Sequence, residues 1–304
     1  MAKYILKKVG IALLTVLVLA TLTFFLVKIL PGDPFLNDKV PAAVQERQRA
    51  FYGLDKPLAE QYLTYMKNLL RGDLGTSLKQ IGREVTTIIR DAFPVSARLG
   101  LAAFVFSQVV GIVFGILCAQ FRGRLPDYIL MIVAVLGVAL PSMVLGPLLR
   151  YLFGVKLMVL PVSGWGTFRQ AVLPVLVLSI SGIAASTRSM RASMLAVTTQ
   201  DYIKTARAKG LAPWKVVLRH QLKNSLVPIL TNMGVTLASI MMGSFVVESI
   251  FLIPGLGKYF VDCVTTLDYP LVMGLTIFYG AFLVTANLII DVLYGLADPR
   301  IRVK

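Results

Sequence analysis

Six long apolar runs constrain this chain more than any other feature of its sequence: Val9 to Leu30, Leu99 to Phe121, Tyr128 to Phe153, Val172 to Thr187, Ser225 to Ile250 and Leu271 to Leu293. A helix of about 20 mostly apolar residues crosses the hydrocarbon of a bilayer. Within lipid every backbone N–H and C=O must be paired inside the segment, which a helix achieves and an open strand does not. Barrel strands would instead alternate apolar and polar residues over about 10 positions, and these runs are continuous. A mean hydropathy of +0.77 with 15% charged residues agrees, being too apolar for an ordinary soluble chain of 304 residues. The expected fold class is all-α, a polytopic membrane bundle of about six transmembrane helices; the fourth run is the shortest.

Lys and Arg set the orientation, because short cytoplasmic loops hold an excess of them. With the N-terminus inside, Lys3, Lys7, Lys8, Arg122, Arg124, Arg188, Arg191, the basic block from Lys204 to Lys223, and Arg300, Arg302 and Lys304 all fall inside. The short outer loops keep Lys156, Arg169 and Lys258, offset by Asp262 and Asp268. Both termini are therefore expected to be cytoplasmic. Anionic lipid attracts juxtamembrane cations by about 1 kcal/mol each, so the formal net charge of +16 requires no nucleic-acid partner. The first run is longer than a cleaved signal's apolar core and reads as a retained helix. Pro31-Gly32-Asp33-Pro34 ends it, and residues 31–97 form an extracytoplasmic insertion within a single membrane domain, 1–304.

The longest inner segment, residues 188–224, holds the most informative stretch: DYIKTARAKGLAPWKVVLRHQLKNSLVPIL, Asp201 to Leu230. It predicts a helix from Asp201 to Lys209, a break at Gly210, where glycine suits positive φ, and a second helix opening at Pro213. In the second helix Trp214, Val217, Leu218 and Leu222 share an apolar face, and Lys215, Arg219 and Lys223 a basic stripe. Such a helix would lay its apolar side in lipid and hold its cations among headgroups.

Tyr202, Thr205-Ala206-Arg207-Ala208-Lys209-Gly210-Leu211, His220 and Asn224 resemble the cytoplasmic loop of ABC-importer permease subunits, the dipeptide, oligopeptide and nickel branch in particular, and closest to its B-type oligopeptide permeases. Against the wider family pattern of Glu-Ala-Ala, three residues, Gly, nine residues and Ile-x-Leu-Pro, the chain keeps Ala206, Gly210 and Leu222. It departs at Lys204, Thr205, His220 and Lys223, in the manner of the peptide branch. Tyr52-Gly53-Leu54-Asp55-Lys56-Pro57, Gln61-Tyr62, Arg71 to Ser77, Asp291 to Tyr294 and Asp298-Pro299-Arg300 extend the resemblance over essentially the whole chain. It implies a type I ABC-importer permease fold in a bacterial inner membrane. The implied partners are a second homologous permease, two ATP-binding subunits and an extracytoplasmic substrate-binding protein. The cargo would be oligopeptides, with dipeptides, glutathione-like peptides or chelated nickel as alternatives. The coupling element would comprise Lys204, Thr205, Ala206, Arg207, Ala208, Lys209, Gly210, Leu211 and Trp214, with the small Ala206 and Gly210 making the close approach and Arg207 and Lys209 reaching acidic groups.

Other chemistries find little support. His220 is the sole histidine and no Cys or carboxylate stands near it at ligand spacing, so no metal or cofactor is expected on this chain. Cys118 and Cys263 fall at opposite membrane faces, so no disulfide is expected. Pro254-Gly255-Leu256-Gly257-Lys258 lacks the first Gly and the final Ser or Thr of a phosphate-binding loop. No nucleophile and base pair up for catalysis, so the chain reads as a transport subunit rather than an enzyme. A stand-alone ion-coupled carrier or channel is the rival class, resting on Glu248 and Asp291.

Inside the runs, Lys28, Arg150 and Glu248 lie near outer ends and either snorkel to headgroups or, for Glu248, face the path near an outer gate. Pro141-Ser142 and Gly146-Pro147 should bend or break the third helix. With Met241 and Met242 of the fifth, Pro141 and Ser142 are candidate pore-lining residues, although ordinary helix packing explains them equally well. Gly111 and Gly115 form a small-xxx-small pair suited to close helix contact.

Overall fold

The computed structural model describes residues 2–29, 46, 50, 53, 55–80 and 82–297. Among these the regular structure is helical, with one isolated antiparallel bridge between Thr76 and Glu84. The helices are α1 (Ala2–Ile29), α2 (Leu58–Leu70), α3 (Val85–Gln120), α4 (Leu125–Ala139), α5 (Ser142–Leu149), α6 (Phe168–Thr198), α7 (Asp201–Ala208), α8 (Pro213–Val216), α9 (Leu222–Ser225), α10 (Val227–Met241), α11 (Phe245–Ile250), α12 (Leu256–Thr265) and α13 (Tyr269–Ala297). Two π-helical stretches, Arg150–Lys156 and Val217–Gln221, interrupt the series. Among the described residues five stretches are long and apolar enough to cross a membrane, and the pair Leu125–Ala139 and Ser142–Lys156, bent by 105°, makes a sixth if taken as one broken span. The motifs Pro31 to Pro34 and Asp298 to Arg300, with Tyr52 and Leu54, lie outside the described residues.

Several helix boundaries differ from the sequence reading. The second span does not begin near Leu99: α3 starts at Val85 and runs through Pro94, so the last part of the expected outer segment belongs to the same helix. The fourth span is not short, since α6 has 31 residues. Arg188 and Arg191, whose charge made the run look finished, lie within its C-terminal turns, and Thr167 and Gln170 close its other end with a reciprocal capping box. In the third, Pro141 marks the bend but Pro147 does not break the chain. The turn after it relaxes into the π-helical stretch, where the Arg150 N–H reaches the Gly146 and Pro147 carbonyls. The fifth is broken at Gly243, whose φ of +92° no β-carbon-bearing residue adopts without strain.

Backbone contacts divide the chain into two compact units, residues 1–94 with 255–304, and residues 95–254. In the first, α1 packs along α13, where a β-carbon on Gly280 would strike the Leu19 side chain. Aromatic rings tie α2 to α1, with Tyr65 stacked on Phe24 and Tyr62 on Phe25 at 5.5 and 5.7 Å between centroids. Buried Asp268, just ahead of α13, collects the hydroxyl of Ser77 and the backbone N–H groups of Leu78 (3.0 Å) and Lys79 (3.4 Å), fastening that loop to the helix start.

The second unit is built on α6. Glycine lets α3 and α4 press against it: a β-carbon on Gly111 would lie 2.5 Å from Ser186 Cβ and 2.9 Å from the Ile183 oxygen, and one on Gly137 would lie 2.6 Å from Ile180. At Gly115 it would lie 2.8 Å from the Thr187 oxygen and closer still to Met190. The small-xxx-small pair therefore serves helix packing inside the chain. Leu99, Leu173, Val177, Val247, Phe251 and Ile253 fill the apolar centre of this unit.

Candidate functional site

The loop that resembles the importer-permease coupling loop follows α6 directly, and its sequence dictates its shape. In α7 only Ile203 and Ala206, three residues apart, are buried, at 0% and 4% exposure. They form a small apolar core with Val216 of α8 and with Val197. The helix stops in a hydrogen-bond pattern that glycine permits: Gly210 N–H donates to the Arg207 oxygen (2.9 Å) and Leu211 N–H to the Ala206 oxygen (3.4 Å), with Gly210 at φ +75°. Pro213 then occupies the first turn of α8, where its missing N–H costs nothing. Tyr202 and Asn224 close the loop across its two halves through a 3.0 Å bond from the Asn224 amide to the Tyr202 hydroxyl.

Ala206 packs against its own chain and is 4% exposed. Gly210 is exposed, and a β-carbon there would meet nothing within 4 Å, so backbone conformation is what requires glycine. Lys204, Thr205, Arg207, Ala208, Lys209 and Leu211 are all exposed beside it. The predicted apolar face of the second helix splits. The π-helical stretch Val217–Gln221 widens the turn, so Val217 and Leu222 pack toward Met190, Met194 and Ile229 while Trp214 and Leu218 stand 61% and 56% exposed. Lys215 lies over the Trp214 ring at 5.4 Å, and Arg219 and Lys223 are exposed. His220 is half-buried, and its backbone oxygen accepts from Asn224.

Under the loop runs a polar floor that the sequence reading missed. Arg191 of α6 forks onto Asp127 of α4, Nε to Oδ1 and Nη2 to Oδ2, both at 2.7 Å. Asp127 is 2% exposed and also accepts from Gly123 N–H (3.0 Å) in the α3–α4 turn. Buried Gln221 receives the Gln120 amide (3.4 Å) and donates to Thr198 (3.1 Å), while Ser193 donates to the Ser225 oxygen (2.9 Å). A carboxylate in the first turn of one apolar helix and an arginine inside another were the available signals, since neither is stable there alone.

Deeper in the chain, Pro141 is exposed at the bend, and Ser142, Met241 and Met242 are half-buried. Glu248 is neither at a surface nor snorkelling. It is 0% exposed, accepts the Ser96 hydroxyl at 2.8 Å, and sits so close to Gly243 that a β-carbon there would strike its carboxylate. Lys28 and Arg150 are likewise engaged within the chain, Lys28 donating to Gln61 and Arg150 to the Ile250 oxygen. Cys118 and Cys263 are both buried free thiols, and burial pushes the Cys263 thiol up to about 12. Among the described residues no three His, Cys, Asp or Glu side chains gather as metal ligands. The Asp291 side chain lies outside the described residues.

Comparisons with known proteins place this arrangement. Residues 111–303 match the family of binding-protein-dependent transport system inner membrane components, and residues 1–100 match the N-terminal model of such membrane components. The chain is similar to the dipeptide transport system permease protein DppB of Bacillus subtilis, 43% identical over 303 residues, covering 99% of this chain and 98% of that protein. It is also similar to the oligopeptide transport system permease protein OppB of Escherichia coli K12, 40% identical over 305 residues, covering 99% and 100%. Among solved structures, an inward-facing form of the MetNI methionine ABC transporter matches at a TM-score of 0.52 and 16% identity, over 68% of this chain and 97% of that one, a likeness of fold alone. Resemblance of the inner loop, helical architecture and full-length relatives converge: the chain belongs to the binding-protein-dependent inner membrane component family, the permease subunits of ABC importers.

Proposed function

We propose that this chain forms half of the translocation pathway for oligopeptides in an ATP-driven importer. A second homologous permease, two ATP-binding subunits and an extracytoplasmic substrate-binding protein complete the assembly. One observation carries the reading: α7 is held from within by Ile203 and Ala206 and leaves Lys204, Thr205, Arg207, Ala208, Lys209 and Gly210 uncovered. A loop helix anchored on one face and open on the other is a mount for a partner. Its exposed cations, with Lys215, Arg219 and Lys223, favour a docking cleft rimmed by carboxylates.

The division of labour follows. ATP hydrolysis belongs to the partner subunits, and this chain supplies a path and a lever, with no cofactor of its own. Displacement of the cleft moves α7, and α7 moves the helices to which the loop is fixed. Pro141 and Ser142 at the 105° bend, and Met241 and Met242 ahead of the Gly243 break, lie where helical backbone is interrupted. Interrupted backbone at membrane depth is tolerated where it borders protein or a watery cavity, and methionine gives an adaptable wall for varied side chains. Peptide cargo is supported by the names of the relatives, which carry dipeptides and oligopeptides. The inner-loop cations support cytoplasmic termini in a multi-pass inner-membrane protein.

Native mass spectrometry of the complex, gently solubilised from its own membrane, tests this reading. It predicts a particle containing one further permease and two ATP-binding subunits, and recovery of the chain alone or as a self-oligomer from intact preparations contradicts it.

A further inference from the structure

We propose that the Asp127–Arg191 fork, together with Gln221, fastens the α3–α4 hairpin to the base of the inner loop, so that the loop and hairpin move as one body during transport. The inference rests on the coupling role proposed for the loop, and it makes Asp127 and Arg191 positioning residues rather than contacts of cargo or partner.

Three observations carry it. Arg191 lies ten residues ahead of α7 on the same uninterrupted helix until Thr198, and its planar guanidinium meets a carboxylate of the neighbouring helix in two parallel 2.7 Å bonds. Such a bidentate pair fixes direction as well as distance, which a single contact between flexible chains does not. The carboxylate is enclosed, with 3% of the Asp127 side chain exposed against 28% for Arg191, so Asp127 cannot relax into water without breaking the fork. Asp127 simultaneously holds the Gly123 N–H of the α3–α4 turn, and Gln120, the last residue of α3, reaches Gln221 in the second half of the loop. The turn is thus bound to α6 ahead of α7 and to the π-helical stretch that follows α8. Glycine contacts at Gly111, Gly115 and Gly137 keep the same helices closely packed further into the membrane, which leaves little freedom to slide.

A buried ion pair is weak evidence for stability, so a role in transmission is what distinguishes this one. Removing a single partner leaves a buried charge uncompensated and lowers the amount of folded protein, whatever the pair does. The informative variant is the neutral double, Asp127→Asn with Arg191→Gln, which keeps the shapes and removes both charges. In the full complex reconstituted in liposomes, spin labels at Arg122→Cys in the α3–α4 turn and at exposed Gln200→Cys, which heads α7 outside the docking residues, report whether the two move together. The expected results are a narrow label distance that ATP leaves unchanged in the otherwise native chain, a distance that broadens in the neutral double, and a fall of about tenfold in peptide imported per ATP hydrolysed by the double.

An ATP-dependent label distance in the native background overturns the proposal. So does a double variant with full import per ATP, or one with reduced import and an unbroadened distance. Photo-cross-linking from position 204 to the ATP-binding subunit separates the two levels of the argument. Loss of that adduct in the native background removes the coupling role of the loop itself, whereas an intact adduct beside an unaffected double removes only the role of the fork.

Discussion

Gly111→Ala adds one methyl group to the seam between α3 and α6, and its consequence can be worked from the geometry. The new carbon would lie 2.5 Å from Ser186 Cβ and 2.9 Å from the Ile183 carbonyl oxygen. The oxygen is backbone in the middle of α6, so no rotamer change removes it, and Ser186 is itself bonded to Gln108 at 3.0 Å. Ordinary contact begins near 3.4 Å, so the helices must part by about 1 Å, a gap that forfeits a quarter to a half of each dispersion well along the seam. Overpacking of this kind costs about 1–3 kcal/mol. Alanine returns about 1 kcal/mol through helix propensity, leaving a net loss of about 0–2 kcal/mol, toward the upper end here because the backbone oxygen cannot move aside. Gly10 of α1 supplies the control, because an added carbon there meets nothing within 4 Å and only the propensity gain remains. Thermal denaturation of the purified complex in one detergent, followed by size-exclusion chromatography, should rank the proteins as Gly111→Ala below unaltered chain, and Gly10→Ala equal to it or above. A Gly111→Ala protein melting at or above the unaltered chain refutes the packing argument.

Other consequences are open to direct test. Asp268→Ala strips four donors of this acceptor, three of them in the segment Ser77 to Lys79, and limited proteolysis from the outer side should then cut near that segment where the unaltered chain resists; unchanged resistance contradicts the anchoring role. Cys263, held protonated to about pH 12 by burial, should react with maleimide at neutral pH only after denaturation. The same shift means that stability from this group is complete below its unfolded value near 9 and declines as pH rises toward 12, so rapid native labelling at neutral pH would contradict it. Gly243→Ala combines a φ of +92° with a clash against Glu248, and folded yield should drop sharply, whereas Gly210→Asn, at an open left-handed position, should keep both yield and transport. Equal yields for Gly243→Ala and the native chain would sink the first expectation, and loss of transport in Gly210→Asn the second.

Much of this fold is legible in the sequence because membrane helices are written locally. The apolar runs locate the spans, Pro141 locates a bend, and Gly210 followed by Pro213 locates the loop's break. The rest depends on tertiary contact. Arg188 and Arg191 made the fourth run look short because a charge in an apolar helix reads as an ending until its partner is known, and the partner, Asp127, lies 64 residues away. Glu248 shows the same difficulty: position along a run says how deep a carboxylate lies, and only packing decides that it turns inward to Ser96. The periodic face of Trp214, Val217, Leu218 and Leu222 failed for another reason, because a π-helical stretch adds a residue to the turn and shifts every position after it. Ala206 has the residue type for close packing, and only the structure shows that it packs with Val216.

The account's central claim is that the uncovered side of α7 is the seat of an ATP-binding subunit. A photoreactive residue placed at the exposed position of Arg207, with one at the buried position of Ile203 as the internal comparison, addresses it in native membranes. Mass spectrometry of the adducts should find the ATP-binding subunit joined to position 207 and not to position 203. Adducts at 207 confined to lipid, with the complex otherwise intact, would contradict the claim.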